Sequence, residues 1–431
     1  MAFCNEFCVP EWSKDPPRRR RVCHPKTVNA ACGRDTLRPL RLPTRREIRA
    51  AVFRGAWVCC LDAASFFDQF PLSDEVGRYF CFRGRSGRSF RLSAMAMGQR
   101  QSTEVATALM RLACSFVHDV RIDIATDNVR FIGSRQGVID AVTEFCARCD
   151  RLGLILNELP RQPTAAQVDA VVVQEADFLG EVMDYHNKTV RIRKKIIDRI
   201  EELWSLRGRW TVRQYAGIMA SLLWVSAPLR VDIADMFNAM AFLRLQGRRM
   251  FDEPDQWDAT VTVPAAAMKE LETWTSIALR NLPTPVDSDP GPHQLTIFTD
   301  ASAWGWGAAV SNAETVKLVQ HAWGDSLASK DRSTVAEPEA IWRALCQFVR
   351  PSEQITVRVC TDHEAFVKAF TRGYSASASY NGVIARIRDR FPKLTLVLKH
   401  IPGDSNPVDS LSRGPVTPEA RSRAWRGVVG S

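Results

Sequence analysis

The stretch Gln294-Leu-Thr-Ile-Phe-Thr-Asp-Ala-Ser-Ala-Trp-Gly-Trp-Gly-Ala-Ala309 decides the fold of the C-terminal part of the chain. Its apolar first half predicts a strand that ends at Asp300. Gly305 and Gly307 suit a tight second strand that another backbone approaches closely. The stretch therefore predicts a sheet with a carboxylate at the end of one strand.

Three more acidic residues occupy comparable places farther along the chain. Glu337 lies in Ala-Glu-Pro-Glu-Ala-Ile at the start of a predicted helix, and Asp362 ends the predicted strand Ile355–Thr361. Asp409 lies in His400-Ile-Pro-Gly-Asp-Ser-Asn-Pro-Val-Asp-Ser-Leu-Ser-Arg413. Strand ends and helix starts can converge on one edge of a sheet, so we predict that these carboxylates meet there.

Crowded carboxylates repel one another and need cations to be stable together. Hard oxygen ligands select Mg²⁺ or Mn²⁺. Two such ions about 4 Å apart can activate a water and stabilise a leaving oxygen in phosphodiester cleavage. The pattern therefore indicates a nuclease, whereas any one of these aspartates taken alone would more often cap a turn.

The order and surroundings of the four residues resemble the ribonuclease H of retroelements over roughly residues 293–414. In that family the first Asp lies in a glycine-bearing strand, and the Glu follows Ala on a helix. The second Asp follows Thr, and the last Asp precedes Leu-Ser-Arg in an Asn-x-x-Asp segment. Asp300, Glu337, Asp362 and Asp409 match these positions in turn. The resemblance implies that all four are catalytic and hold the metal ions, with Glu339 as the alternative to Glu337.

The segment Leu61-Asp-Ala-Ala-Ser-Phe-Phe-Asp-Gln-Phe-Pro-Leu72 resembles the first metal-binding motif of reverse transcriptases. There an Asp ends a strand of the palm, and an aromatic residue follows five positions later. Asp62 and Phe67 match them. The resemblance implies that the Phe67 ring lies beneath the incoming sugar and excludes a 2′-hydroxyl group. The alternative is that Phe67 packs in the core.

Two further segments resemble nucleotide-binding elements of the same family. Met95-Ala-Met-Gly-Gln-Arg-Gln-Ser102 resembles a Pro-x-Gly loop that opens a long helix, with Ala96 in place of the proline. Gly98 would let the backbone approach the nucleotide or template. Basic residues of the fingers hold the triphosphate in this family, and the run Arg18–Arg21 supplies Arg20 and Arg21 as the candidates.

The central polymerase motif is altered in this chain. Ile122-Asp-Ile-Ala-Thr-Asp-Asn-Val-Arg-Phe131 stands where the family usually has Tyr-x-Asp-Asp. Asp127 matches the first Asp, Asn128 replaces the second, and Ala125 replaces the Tyr. Asp62 and Asp127 would still provide two catalytic carboxylates for two metal ions. Asn128 keeps an oxygen but loses a charge, so we expect weaker cation binding.

Composition agrees with a nucleic-acid partner. The 431 residues carry a formal net charge of +10, which favours polyanions because Lys and Arg displace counterions from phosphates. No apolar run reaches the roughly 18 residues of a membrane span, and the first residues lack the pattern of a secretion signal. The 12 scattered cysteines suit a reducing compartment, so we expect the nucleus or cytoplasm.

The predicted fold class is α+β. We expect a right-hand polymerase with fingers, palm and helical thumb, followed by an α/β ribonuclease H-like domain with a five-stranded mixed sheet. The predicted boundaries are residues 1–185 for fingers and palm, 186–283 for thumb and connection, 284–292 for a linker, 293–414 for ribonuclease H and 415–431 for a basic tail. The linker is identified by its prolines and aspartates, which show no hydrophobic periodicity.

The resemblance implies a reverse transcriptase with ribonuclease H activity. Its partners would be an RNA template, a DNA primer, their RNA–DNA hybrid and deoxynucleoside triphosphates, with two Mg²⁺ or Mn²⁺ ions in each active site. The Met-Gly-Gln-Arg loop and the Asp-Asn-Val sequence most resemble tyrosine-recombinase retrotransposons of the DIRS and VIPER kind. Two alternatives stay open: a nuclease with a degenerate polymerase, and a domesticated subunit that only binds nucleic acid.

Overall fold

The computed structural model describes residues 5–11, 18–31, 41–84, 86–116, 118–287, 292–312, 315–323, 333–415 and 417–429. For residues 5–11 and 18–23 it describes the backbone alone. Within these ranges, no helix combines the length and the apolar character that a bilayer crossing requires.

The chain forms two compact units. The first contains Met1–Arg193 and Pro283–Ser288, and the second contains Lys194–Leu282 and Asp289–Ser431. Most of the segment predicted as thumb therefore belongs to the same compact unit as the C-terminal sheet. The predicted linker 284–292, of which residues 288–291 lie outside the described part, contributes a short strand to the first unit.

The described residues of the first unit form four small sheets and several helices. Its strands are β1 (Asn5–Glu11), β2 (Arg18–His24), β3 (Trp57–Asp62), β4 (Cys81–Arg83), β5 (Ser89–Arg91), β6 (Arg121–Ala125), β7 (Asn128–Gly133), β8 (Glu175–Phe178), β9 (Glu181–Asp184), β10 (Thr189–Ile192) and β11 (Thr284–Pro285). Its helices are α1 (Lys26–Ala31), α2 (Arg45–Ala50), α3 (Asp74–Gly77), α4 (Ser102–Ala113), α5 (Arg135–Leu152) and α6 (Ala165–Ala170). The sheets have the strand orders β3-β7-β6, β11-β10-β9-β8, β1-β2 and β4-β5.

The antiparallel sheet β3-β7-β6 is the centre of the first unit. Its apolar residues pack on one side against α5, which begins at the N-cap Ser134 and ends at Gly153 with a left-handed φ of 73°. On this side Cys59, Leu61, Val129 and Phe131 are buried with apolar residues of α4 and α5. This packing fixes the ends of β3 and of the β6–β7 hairpin, where the acidic motifs lie.

The second unit begins with four helices: α7 (Lys194–Ser205), α8 (Val212–Ser226), α9 (Phe237–Asp252) and α10 (Ala265–Arg280). Thr211 caps α8, because its side chain accepts a hydrogen bond from the Gln214 amide. Trp210, Tyr215 and Trp274 are almost completely buried in this unit.

The remainder of the second unit is a five-stranded mixed sheet with helices on both faces. Its strands are β12 (Leu295–Ala301), β13 (Gly305–Ser311), β14 (Val316–Ala322), β15 (Thr356–Thr361) and β16 (Thr395–His400), in the order β14-β13-β12-β15-β16. β12, β15 and β16 are parallel, whereas β13 and β14 are antiparallel to their neighbours. The helices are α11 (Ser333–Phe348), α12 (Glu364–Arg372), α13 (Ala378–Arg390), α14 (Asp409–Ser412) and α15 (Pro418–Val429). The predicted α+β class and five-stranded mixed sheet are confirmed.

Two hydrophobic clusters cover the two faces of this sheet. On one face, apolar residues of α11, α12 and α13 pack on Ile297, Val357 and Val359. On the other, α14 and α15 pack on Phe298 and Cys360. The segment predicted as a basic tail therefore contains a helix, α15, that buries apolar side chains against the sheet.

Candidate active sites

Three acidic side chains meet at one end of the five-stranded sheet. Asp300 lies near the end of β12, Asp362 follows β15 directly, and Glu337 lies on α11, which packs against β12. Because β12 and β15 are parallel, both strands deliver their carboxylates to the same edge. One oxygen from each residue lies within 4.8 Å of the others, a grouping of metal-ligating side chains found once in the described ranges.

Buried donors hold both carboxylate oxygens of Asp300. The Asn406 amide donates to Oδ1 at 3.2 Å and to the Thr299 carbonyl at 2.9 Å. The Ser412 hydroxyl donates to Oδ2. Burial raises the pKa of Asp300 to about 6; the hydrogen bond from Ser412 opposes this shift, and the charge of Asp362 adds to it. Two neutral donors therefore orient the Asp300 carboxyl group, while burial and the nearby charge of Asp362 destabilise its ionised form.

Glu337 lies in the least favourable place for a carboxylate charge. It is 7% exposed, and its Oε2 atom has no hydrogen-bond partner among the residues that the structure describes. Burial raises its pKa to about 9, with a further contribution from Asp300 and Asp362. A buried carboxyl oxygen without a donor, beside two more carboxylates, fits a divalent cation as the missing partner.

Asp409 lies near these three residues but binds an arginine. The Arg413 guanidinium donates from Nε at 3.0 Å to each oxygen of Asp409 and from Nη2 at 2.6 Å to Oδ1. The charge of Asp409 still raises the pKa of Asp300 and Glu337. In the structure, the predicted set of four is therefore a group of three with a fourth carboxylate tethered to Arg413.

Glu339, the alternative to Glu337, has other partners. It accepts hydrogen bonds from Arg343 Nε at 3.0 Å and from Arg386 Nη2 at 2.6 Å. Its charge is compensated by these two arginines, whereas that of Glu337 is not. This contrast favours Glu337 as the metal ligand.

In the first unit, the ends of two strands bring Asp62 and Asp127 together. Asp62 ends β3 and is the register partner of Asn128, the first residue of β7. Asp127 lies in the two-residue turn between β6 and β7, and its carbonyl accepts a hydrogen bond from the Ala63 amide at 3.0 Å. Thr126, the other turn residue, has a left-handed φ of 61°, which is rare for a β-branched residue. Such strained turns are concentrated at functional sites.

Asn128, the first residue of β7, stands directly after this turn, where the motif described above usually has a second Asp. Its side-chain amide donates to Asp127 Oδ1 at 3.0 Å. It therefore orients the neighbouring carboxylate, which an aspartate at the same position would repel. Compared with an aspartate at this position, Asn128 lacks a negative charge and adds a hydrogen bond to Asp127.

Two residues that follow α5 hold Asp62. The Asn157 side chain donates to Asp62 Oδ2 at 2.6 Å, and Glu158 Oε2 accepts from the Asp62 amide at 2.8 Å. Burial raises the pKa of Asp62; Asp127 adds to the shift, and the Asn157 hydrogen bond opposes it. Asn157 and Glu158 were not predicted as partners of Asp62. They lie about 95 residues from it in the chain, and no local sequence pattern links residues so far apart.

Asp123, the other acid in this hairpin, has a structural role. It is 2% exposed and pairs with Arg130, its cross-strand partner, which is itself completely buried. The guanidinium of Arg130 also donates to the Tyr185 hydroxyl at 2.9 Å and to the Ile48 carbonyl at 2.7 Å. Asp123 is therefore neutralised within the protein and does not replace the missing acid at position 128.

Two of the candidate nucleotide-binding residues, Phe67 and Gly98, follow Asp62 in the chain. Phe67 is partly exposed in the short 3-10 helix Phe66–Gln69 and packs at the edge of the core, so both interpretations of its ring stay open. Gly98 has a φ of 89°, and its carbonyl accepts a hydrogen bond from Asn29 at 2.9 Å. Asn29 also accepts from the Arg100 amide, so its side chain holds the Gly98 loop at two points.

Arg20 and Arg21 lie on β2, which pairs with β1. Their side chains lie outside the described part of the structure. Their predicted role in triphosphate binding stays a prediction.

Comparison with known proteins shows the fold. No protein-family model matches the chain, and no curated protein matches its sequence. A foamy viral protease-reverse transcriptase in complex with an RNA/DNA hybrid is similar, with a TM-score of 0.51 and 13% identity over 96% of this chain and 51% of that chain. The dRH form of that protein in complex with double-stranded DNA gives a TM-score of 0.50 and 11% identity over 92% of this chain and 65% of that chain.

The chain thus spans between about half and two thirds of the length of the structures that it resembles. At such low sequence identity, the similarity to these structures shows only that the fold is shared. The predicted fold class is confirmed: the chain has the fold of a right-hand reverse transcriptase followed by an α/β ribonuclease H-like domain.

Proposed function

We propose that the chain is an RNA-directed DNA polymerase that also hydrolyses the RNA strand of an RNA–DNA hybrid. The observation that carries the proposal is the group formed by Asp300, Glu337 and Asp362, whose carboxylate oxygens lie within 4.8 Å of one another at a sheet edge. A buried acidic group of this kind, with one oxygen lacking a partner among the described residues, suits cation-assisted phosphodiester chemistry.

In the nuclease, Asp300, Glu337, Asp362 and Asp409 would hold Mg²⁺ or Mn²⁺. When bound, the cations supply the positive charge that activates an attacking water and stabilises the leaving oxygen. Asn406 and Ser412 keep Asp300 aimed at the group. Arg413 would release Asp409 toward the group, since an exposed ion pair contributes little stability.

In the polymerase, Asp62 and Asp127 would hold the two metal ions. Asn128 and Asn157 orient these two carboxylates through hydrogen bonds. The Phe67 ring would select deoxynucleotides by excluding a 2′-hydroxyl. The Gly98 loop would lie against the nucleotide or template, and Arg20 and Arg21 would bind the triphosphate.

The partners would be an RNA template, a DNA primer, their hybrid and deoxynucleoside triphosphates. Both solved structures reported above are nucleic-acid complexes, which supports nucleic acid as the partner class. We further propose a retrotransposon of the DIRS or VIPER kind as the source and the nucleus or cytoplasm as the site of action. The support is the altered Asp-Asn-Val motif and the sequence features described first.

A second candidate function is a nuclease whose polymerase is degenerate. Asn128 favours it, because this site lacks one carboxylate while the group at Asp300 keeps three. A domesticated subunit that binds hybrids without catalysis is the third candidate. The three candidates differ in which strand of a hybrid changes length.

One reaction separates these candidates. The purified chain is incubated with Mg²⁺ or Mn²⁺, deoxynucleotides and a labelled DNA primer on a longer labelled RNA template. Primer extension that Asp127→Ala abolishes, with RNA shortening that Asp300→Asn abolishes, is the expected result. RNA shortening alone would favour the nuclease, and two unchanged strands on a retained hybrid would leave only binding.

A further inference from the structure

Two cavities lie side by side along β14, the edge strand of the five-stranded sheet. The larger has a volume of about 970 Å³ and the smaller has a volume of about 410 Å³. They share the lining residues Leu318, Val319 and Arg421, so together they form one elongated groove between β14 and α15, which we call the β14 groove. The roles argued above for the two acidic sites do not involve this groove.

The β14 groove has an apolar floor. Leu295 begins β12 and Val310 lies near the end of β13, and both line the larger cavity. Phe348, the last residue of α11, packs against the adjoining core cluster and lines the same cavity. Sites of this kind take ligands that have an apolar face.

Helix α15 presents Trp425 to the groove. Trp425 and Arg421 are four residues apart, so they lie on the same face of the helix, and both line the larger cavity. Ala424 and Val428 are buried in the cluster that joins α15 to the sheet. Trp425 is 49% exposed, so the packing of α15 on the sheet leaves its ring available to a ligand.

The rim of the groove is cationic. The side chains of Lys317 and Arg421 are exposed there, as are those of Arg423 and Arg426 on α15. None of the four forms an ion pair with an acid in the part of the chain that the structure describes, and Glu419 is the single acidic residue of α15. No described acidic residue lines either cavity. Unpaired cations at an open groove attract phosphates, because binding releases the counterions that phosphates hold.

Two polar side chains of the larger cavity have no hydrogen-bond partner within the described ranges. They are Gln347, near the end of α11, and Ser422, which follows Arg421 on α15. Both side chains can donate and accept hydrogen bonds. A ribose 2′-hydroxyl also donates and accepts, and it is the group by which proteins distinguish RNA from DNA.

The smaller cavity leads toward the acidic group of the sheet. It is lined by Leu411 of α14, the short helix that begins with Asp409. The larger cavity reaches Leu295, which lies roughly 17 Å from Asp300 along β12 at about 3.3 Å per residue. A polymer in the groove would therefore run from the helix of Asp409 toward the opposite end of the sheet.

We propose that the β14 groove binds single-stranded RNA, with a base stacked on Trp425 and phosphates near Lys317 and Arg421. An exposed ring among unpaired cations suits a single strand, because bases within a duplex are already stacked on each other. RNA is the strand that the proposed nuclease cleaves, and the groove ends beside the helix of Asp409. The inference thus rests on the proposed function and gives a place to RNA that extends beyond the hybrid.

The test measures binding of a short, labelled single-stranded RNA to the full chain after saturation with a blunt RNA–DNA hybrid. The hybrid occupies the two proposed active sites, so the labelled RNA reports on other sites. EDTA keeps both strands intact, and fluorescence anisotropy gives the dissociation constant. DNA of the same sequence and an acidic peptide of the same charge are the comparison ligands.

We expect RNA to bind more tightly than either comparison ligand. Trp425→Leu should weaken RNA binding by about 5- to 150-fold, the effect of losing one stacked base, and Trp425→Phe should retain most of the affinity. Arg421→Gln should reduce the log–log salt slope by about 0.7, the contribution of one phosphate contact on a single strand. Neither Trp425→Leu nor Arg421→Gln should change the affinity for the blunt hybrid.

Phe251→Leu and Arg372→Gln are matched controls in the same compact unit. Phe251 on α9 is 88% exposed, and Arg372 is an exposed residue at the end of α12. Neither residue lines the β14 groove, so both variants should bind the RNA as the parent does.

The inference is overturned if RNA fails to bind the saturated chain, or if DNA or the acidic peptide binds as tightly as RNA. It is also overturned if Trp425→Leu has no larger effect than Phe251→Leu. Failure of the proposed function would appear separately, as unchanged strand lengths in the reaction with Mg²⁺. The two failures are therefore distinguishable.

Discussion

The Ser412 hydroxyl donates a hydrogen bond to Oδ2 of Asp300, although 112 residues separate the two in the chain. The bond lowers the pKa of a carboxyl group that burial raises, so it favours the charged form that a cation needs. Ser412 is completely buried and thus acts on Asp300 without touching solvent.

Ser412→Ala should weaken binding of Mn²⁺ to the group formed by Asp300, Glu337 and Asp362 by about 10-fold or more, as is typical when a partner of a metal ligand is removed. Isothermal titration of the full chain with Mn²⁺ measures this directly. Ser410→Ala is the matched control, because the Ser410 hydroxyl lies on the same short helix and has no hydrogen-bond partner among the described residues. Equal affinities for the two variants would contradict the positioning role.

Glu337→Gln should stabilise the metal-free protein at pH 8. The pKa of Glu337 is raised from 4.5 to about 9, so the unfolded state loses its proton before the folded state does. The contribution of the Glu337 carboxyl group to the free energy of unfolding is fully present below pH 4.5 and is lost as the pH rises toward 9. We expect a gain of at least about 1 kcal/mol, measured by denaturant unfolding in EDTA, because the amide does not ionise and one unit of pKa shift corresponds to about 1.4 kcal/mol.

We expect Mg²⁺ or Mn²⁺ to raise the melting temperature of the parent protein, and Glu337→Gln should lose that increase. Glu339→Gln is the control: it removes the partner of Arg343 and Arg386, so it should cost stability and keep the metal effect. A metal effect that disappears in Glu339→Gln and persists in Glu337→Gln would reverse the assignment of the two residues.

Asp123→Ala should destabilise the protein by about 3–5 kcal/mol, because it leaves the charge of Arg130 buried without its partner. Asp169→Ala breaks an exposed ion pair with Arg135 in the same unit and should cost at most about 1 kcal/mol. Chemical denaturation of both variants gives the comparison. Similar losses would show that the buried pair contributes no more than a surface pair.

Asn128→Asp should lower the Mg²⁺ concentration needed for half-maximal primer extension. The added charge near Asp127 contributes about 1 kcal/mol or more to cation binding, which is at least about fivefold. Asn128→Ala, which removes the hydrogen bond without adding a charge, should raise that concentration. An unchanged Mg²⁺ requirement in Asn128→Asp would mean that position 128 takes no part in metal binding.

Features that depend on local pattern were predictable from the sequence. Strand-end acids such as Asp300 and Asp362 follow apolar runs, and two parallel strands bring such ends to one edge whatever lies between them. The helical cap at Thr211 and the β4–β5 hairpin follow from nearby residues in the same way. Local sequence patterns were therefore sufficient to predict the fold class and the strand-end positions of these acidic residues.

Features that depend on distant partners were not predictable. Arg130 stands in an apolar strand, and nothing in its neighbours along the chain indicates that Asp123, Tyr185 and Ile48 surround it. The helix α15 in the basic tail was not predicted, because arginines separate the few apolar residues that it buries. The ion pair between Asp409 and Arg413 likewise depends on side-chain conformations, which the positions of the two residues in the sequence do not reveal.

The contact between Gly307 and α14 restricts how this protein can evolve. A Cβ atom at position 307 would lie 2.5 Å from the Leu411 Cβ atom and 2.9 Å from its backbone carbon. Because backbone is among the atoms in the way, a smaller side chain at position 411 would not make room for alanine. A lineage could replace this glycine only by moving the helix that begins with Asp409, which would also shift that carboxylate relative to Asp300.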